Sequence, residues 1–93
     1  MIAQKKIGLS VVAPDRILYQ GEVQYISVPG SAGYMGVLPD HTSLVSTLQP
    51  GRFEIRPGVG VPVIVFSTKK AGLFEINKNK AAILLDSVDS GAI

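Results

Sequence analysis

Apolar and polar residues alternate along this chain in short runs, each cut by glycine or proline before it grows long. The first run sets the pattern. Ile7, Leu9 and Val11 fall on one side of an extended chain while Lys6, Gly8 and Ser10 fall on the other. That period of two is what a half-buried β-strand requires. Pro14-Asp15-Arg16 ends the run, because proline presets φ for a turn. Strands are then predicted over 17–22 and 23–29, with Gln24, Ile26 and Val28 on one face of the second. Gly30-Ser31-Ala32-Gly33 turns the chain into a strand over 34–38, and Pro39-Asp40-His41-Thr42 reads as an ordered loop.

The second half repeats the pattern. Residues 44–48 form a short apolar element and Gln49-Pro50-Gly51 a turn, and in the strand over 52–56 Phe53 and Ile55 alternate with Glu54. After the turn Pro57-Gly58-Val59-Gly60, the unbroken apolar run 62–66 has the character of a strand buried on both faces. Residues 67–70 are polar. Runs over 73–77 and 80–85 predict a hairpin about Lys78-Asn79, since asparagine tolerates the positive φ of a tight turn. The stretch 87–93 has no pattern. No segment sustains a helical period, and valine and isoleucine outnumber alanine and leucine, a bias toward pleated surfaces. The expected fold is an all-β sandwich or barrel, with residues 1–88 as one domain and 89–93 as a short tail without a second domain.

Composition narrows the function. At 93 residues, 46% hydrophobic and 17% charged, the chain has the balance of one packed domain and not of a disordered segment. No apolar run approaches the roughly 20 residues of a membrane span, and the start MIAQKKIGLS lacks a signal-peptide core. A soluble, unexported chain is expected. The absence of cysteine removes disulfides and thiolate chemistry. A single histidine, His41, offers at most one imidazole to a metal, and neither metal nor cofactor is expected. A net charge of +2 is too small an excess for a nucleic-acid footprint. The pairs Lys5-Lys6, Lys69-Lys70 and Lys78/Lys80 have only Phe66 and Phe74 near them as stacking platforms, so these lysines are expected to blunt sheet edges.

Three groups invite a catalytic reading. Asp40, His41 and Ser43 are close in sequence, but in an extended chain Asp40 and His41 point to opposite faces. His41 and Ser43 share a face with Cβ atoms about 6–7 Å apart, so the expectation is a loop histidine that fills a corner or bonds a backbone carbonyl. Gly30, Gly33 and Gly36 have the spacing GxxGxxG and lead into a strand, not a helix. Positive φ for a tight hairpin is expected of them. Glu54 and Glu75 lie between apolar strand residues and are expected to face solvent. Such a chain works by contact.

The stretch GYMGVLPDHTSLVSTLQPG resembles the signature of the epsilon subunit family of F-type proton-translocating ATP synthases. The residues that carry the likeness are Gly33, Gly36, Pro39, His41, Leu44, Pro50 and Gly51. LSVVAPDRILYQGEVQYISVPG is similar to that family's opening three strands, including Gly21, and AGLFEINKNKAAILLDSV to its closing hairpin and strand. Asp40 stands where the family usually has Gly or Asn, and Thr42-Ser43 where it has Ala-Pro. Thr68-Lys69-Lys70 has the look of an insertion, and Ala71 replaces the first glycine of a Gly-Gly pair. The family's helical hairpin, which can brake ATP hydrolysis, has no counterpart before Ile93. A natural chain ending there would lack that brake.

The resemblance implies a two-sheet β-sandwich of about eight to ten short, mostly antiparallel strands. It also implies a non-catalytic rotor subunit of the central stalk, which links the gamma subunit to the membrane c-ring and couples proton transport to ATP synthesis. The catalytic core would be an indirect partner, and nucleic acid none. The location implied is peripheral, on the cytoplasmic face of the bacterial inner membrane or the equivalent organellar face. His41, Thr42, Leu44, Val45 and Thr47 correspond to the gamma-facing region, and Ser31, Ala32 and Tyr34 to the ring-facing loop. Two other readings remain: a free-standing β-barrel module binding a ligand or nucleic acid, and a weak hydrolase using His41 with Ser43.

Overall fold

The computed structural model describes residues 5–86 together with Ser90 and Gly91. Among these residues there are ten β-strands and no helix. One layer contains β1 (Ile7–Ala13), β2 (Arg16–Val23), β5 (Leu44–Leu48), β8 (Gly72–Asn77) and β9 (Lys80–Leu85), in the order β5-β8-β9-β1-β2. The other contains β3 (Tyr25–Gly30), β4 (Gly33–Val37), β6 (Gly51–Arg56), β7 (Ile64–Thr68) and β10 (Ser90–Gly91), in the order β4-β3-β6-β7-β10. The layers meet at one backbone pair, Gly30 with Leu48, so a single sheet curls over on itself to make the expected sandwich. All pairings are antiparallel except that of β1 with β9.

Alternation in the sequence becomes the two faces of each layer. In β1, Ile7, Leu9, Val11 and Ala13 are buried while the residues between them are not. β8 and β9 add Phe74, Ile76, Ala81, Ile83 and Leu85 to the same side. From the opposite layer come Ile26, Val28, Val37, Phe53, Ile55 and Phe66. Phe53 and Phe66 are register partners on β6 and β7, and their rings stack with centroids 4.7 Å apart and planes 5° from parallel. Each such side chain removed from water stabilises the fold by about 1.5–3 kcal/mol. Lys78 and Asn79 both take positive φ, at 50° and 61°, and close the β8–β9 hairpin as expected.

Several expectations need correction. The run 62–66 is not a strand buried on both faces. β7 begins at Ile64, Val61 and Val63 are about half exposed, and only Phe66 of the run is fully buried. No third layer covers the outside of β7, so half of this apolar run faces water. Ser67 and Thr68, taken as part of a polar connection, continue β7. Thr68 turns inward, and its hydroxyl has no hydrogen-bond partner among the described residues. Only Lys69, Lys70 and Ala71 then join β7 to β8. Of the three glycines read as turn formers, Gly33 alone has positive φ, at 131°. Gly36 lies in β4, where a Cβ would come within 2.9 Å of the Tyr25 hydroxyl. Ser90 and Gly91 pair with Ser67 and Phe66, a bridge too short to leave any period in the sequence.

Gly72 is demanded by close approach, since a Cβ there would lie 2.7 Å from the Leu84 carbonyl oxygen. Gly8 has nothing nearer than 3.8 Å. Gly72→Ala should therefore cost about 1–3 kcal/mol, while Gly8→Ala should be neutral or stabilising by about 0.5 kcal/mol. Urea-denaturation midpoints at equal slope measure both; equal effects at the two positions would contradict the assigned backbone contact.

Candidate interaction surface

The loop after β4 carries the sequence motif and is held from three directions. Asp40 adopts φ 66°, a left-handed conformation that aspartate accepts more readily than most residues. Asn79, on the β8–β9 turn, accepts from the Asp40 backbone N–H through Oδ1 at 2.6 Å. Its Nδ2 donates to Asp40 Oδ1 at 2.9 Å. Lys5 Nζ donates to Asp40 Oδ2 at 2.8 Å. At the other end of the loop, Ser43 Oγ donates to Asn77 Oδ1 at 2.8 Å. Between them the His41 N–H donates to the Leu38 carbonyl, and His41 Nδ1 donates to the Thr42 carbonyl at 2.8 Å. The histidine thus bonds a backbone carbonyl, as expected. A hydrolytic triad does not assemble, because Asp40 and Ser43 are both bound to groups other than the imidazole.

β5 leads away from this loop. Val45 and Thr47 point outward, Val45 with 67% of its surface exposed, while Leu44 packs against the core and Leu48 is buried. His41 is half-buried and Thr42 exposed. Four of the five residues aligned with the gamma-facing region therefore reach the surface, and Leu44 supports them from beneath. At the far end of β5 the Thr47 carbonyl accepts from the Ser31 N–H at 3.0 Å. The Gln49 side chain donates to the Gly30 carbonyl at 2.8 Å, and its backbone N–H to that of Pro29 at 2.9 Å. Ser31 and Ala32 project as an exposed turn. Tyr34 is 65% exposed, and its hydroxyl accepts from the Arg52 N–H at 3.1 Å. The first group runs along the outer side of β5, and the second sits on the β3–β4 turn and the outer side of β4 in the opposite layer, with the Ser31–Thr47 backbone bond linking the two.

One feature escaped the sequence reading. The outer faces of β2, β1, β9, β8 and β5 form an open trough of about 960 Å³, with Gly8, Ser10 and Ala82 among its small lining residues and Val45, Glu22 and Glu75 among its larger ones. Ser10 pairs with Ala82, and Gly8 with Lys80, so small side chains on adjacent strands leave the hollow. The signal was there: small residues at the outward positions of strands whose inward positions are large. On the opposite layer Glu54 departs from expectation, its side chain only 14% exposed. Arg56 Nε donates to it at 2.5 Å and Arg52 at 3.3 Å, and Arg56 also lies 5.0 Å over the Tyr25 ring. Those guanidinium contacts, Arg56 first, hold the Glu54 carboxyl below the usual range.

The remaining chemistry does not converge. Lys69 and Lys70 are separated from Lys78 and Lys80 by the whole of β8, so the lysines form no continuous phosphate-binding strip. No three of the acidic and histidine side chains among the described residues gather into a metal-binding group.

The fold defines a two-layer β-sandwich domain, with Val45, Tyr34 and the turn at Ser31 and Ala32 on its surface. The chain belongs to the ATP synthase delta/epsilon chain family, whose beta-sandwich domain matches residues 6–91. It is 42% identical over 85 residues to the ATP synthase epsilon chain of Leptospira interrogans, covering 91% of this chain and 65% of that one. It is 32% identical to the epsilon chain of Polaromonas naphthalenivorans over 91% of its own length and 60% of that relative's. The chain thus spans slightly under two thirds of these relatives. The same fold occurs in a chain of the Euglena gracilis mitochondrial ATP synthase, with a TM-score of 0.80 at 24% identity, over 90% of this chain and 52% of that one. It occurs again in the central stalk and c-ring assembly of the Tetrahymena thermophila enzyme, with a TM-score of 0.70 at 14% identity, over 95% of this chain and 69% of that one.

Lys5, through its hydrogen bond, and then Asn79 hold the Asp40 carboxyl below the usual carboxylate range. A carboxyl depressed on folding stabilises the fold above the ordinary aspartate pKa, and that share is lost as pH falls through the depressed value. Lys5 is raised by the same bond, so its share is lost only in strong base. Asp40→Asn keeps the left-handed residue type and removes the charge. The melting-temperature difference between the two proteins should hold from about pH 6 to 9 and shrink progressively as pH falls below the ordinary aspartate value of about 3.9. A difference independent of pH would show that the carboxylate is not the active group.

Proposed function

We propose that this chain is the sandwich part of a non-catalytic rotor subunit in an F-type ATP synthase, linking the gamma subunit to the c-ring and coupling proton transport to ATP synthesis. The observation that carries this reading is the family match over 6–91, which takes in all the residues aligned with the gamma-facing and ring-facing regions. His41, Thr42, Val45 and Thr47 face the gamma subunit, with Leu44 anchoring their strand in the core. The trough beside Val45 extends that surface with a concave, partly apolar floor, and such hollows suit burial against a permanent partner. Ser31, Ala32 and Tyr34 face the c-ring from the end of β5 where the Thr47 carbonyl grips the turn. Backbone ladders that cross both layers make the domain stiff, as a part transmitting torque must be. Its place is with the synthase at the membrane, on the cytoplasmic face or its organellar equivalent, and the catalytic core is reached only through gamma.

Val45→Arg or Thr47→Arg places charge on an already exposed position and should leave the fold intact. Either should weaken binding to the gamma subunit by about tenfold or more, measured by calorimetry or interferometry. Native-fold variants that bind gamma undiminished would reject this face. A photo-crosslinker at Ala32 should capture the c subunit in the assembled complex, and capture of other subunits alone would move the ring-facing surface elsewhere. Affinity purification of the tagged chain from its own organism should recover the catalytic core of the synthase; recovery of none of its subunits would overturn the rotor reading.

A further inference from the structure

We infer that Asn77 and Asn79 are positioning residues: they clamp both ends of the loop 39–43 and hold His41 and Thr42 in the shape the partner surface requires. This rests on the gamma-facing reading above. The geometry begins with register. Leu44 pairs with Ile76, so Ser43 falls opposite Asn77 where the ladder gives out, and their side chains complete it at 2.8 Å. Beyond that point the loop bows outward and Asn79 takes up its other end, binding the Asp40 backbone at 2.6 Å and its carboxylate at 2.9 Å. Asn79 is itself anchored, because its carbonyl accepts the Gly8 N–H at 2.8 Å. The two asparagines flank Lys78 on a turn whose left-handed residues are 78 and 79. The end of β8 and the turn that follows it thus hold both ends of the contact loop.

Pro39 fixes φ at the start of the loop, Lys5 also binds the Asp40 carboxylate and the His41 N–H bonds the Leu38 carbonyl, but the two asparagines are what tie both ends to the neighbouring hairpin. Residue 43 is serine, whose φ is free, where a proline would fix it covalently. A loop left to order itself only on binding loses affinity to the entropy of that ordering. The clamp meets that cost during folding. It also explains two amides spent on surface positions that a merely polar exterior would leave to water.

The test uses the full chain and its gamma subunit. Asn77→Ala removes one jaw; Asn79→Gly removes the other while keeping a residue that accepts φ near 61°. Each should weaken gamma binding about three- to tenfold, the worth of one or two hydrogen bonds, with the melting temperature lowered by only a few degrees. Adding Ser43→Ala to Asn77→Ala should cost nothing more, since both delete the same bond. Adding Ser43→Pro to Asn77→Ala should restore affinity, which a general loss of stability would not allow. Unchanged affinity in both single variants, or no recovery with proline, would overturn the clamp. Should the unaltered chain fail to bind gamma, the rotor reading falls, and the clamp is then decided in the free chain by NMR. Backbone order parameters of His41 and Thr42 dropping from about 0.85 to below about 0.6 in the variants would support it; unchanged values would end it.

Discussion

Burial of two apolar faces against each other is the constraint on which the rest of this molecule depends. Neither layer can stand alone, because each is open-edged and carries a row of large aliphatic or aromatic side chains on one face. Pressed together, Phe53, Phe66 and Phe74 fill the middle while the aliphatic residues of β1, β3 and β9 close around them. Between β3 and β5 the two layers share the Gly30–Leu48 pair and the flanking backbone bonds of Ser31 to Thr47 and Gln49 to Pro29. Away from that corner packing holds one layer to the other, and the outer faces are left free of structural duty.

That freedom is used differently on the two outer faces. The outside of the layer containing β3 and β6 carries a charged cluster, with Glu54 held between Arg52 and Arg56 and the latter resting on Tyr25, and it also exposes Tyr34 and Val63. The outside of the layer containing β1 and β9 is hollow, built from small residues, and bordered by the exposed Val45. A hollow beside the exposed Val45 offers a concave surface, and β5 joins that hollow to the exposed turn at Ser31 and Ala32.

The loop 39–43 shows how one chain meets a geometric need with its own chemistry. Asp40 takes the left-handed conformation in place of glycine or asparagine, and its carboxylate then becomes available to Lys5 and Asn79. Ser43 stands in place of proline and reaches Asn77. In each case a residue with fewer intrinsic restraints is fixed by a hydrogen bond from the neighbouring hairpin. The polar groups that resemble a catalytic triad are spent on this fixing.

The sequence by itself determined the all-β class, most strand positions and the inward residues, because a period of two needs only neighbours along the chain to be expressed. It also determined the Lys78-Asn79 turn, which follows from local backbone preference. The run 62–66 was misread because the same apolar string suits a strand covered on one face or on both, and only the number of layers decides which. The shielding of Glu54, the trough over Gly8, Ser10 and Ala82, and the grip of Asn77 and Asn79 on a loop more than thirty residues earlier were invisible for one shared reason. Each depends on which strands become neighbours, and that is settled by tertiary packing and not by any residue's own sequence context.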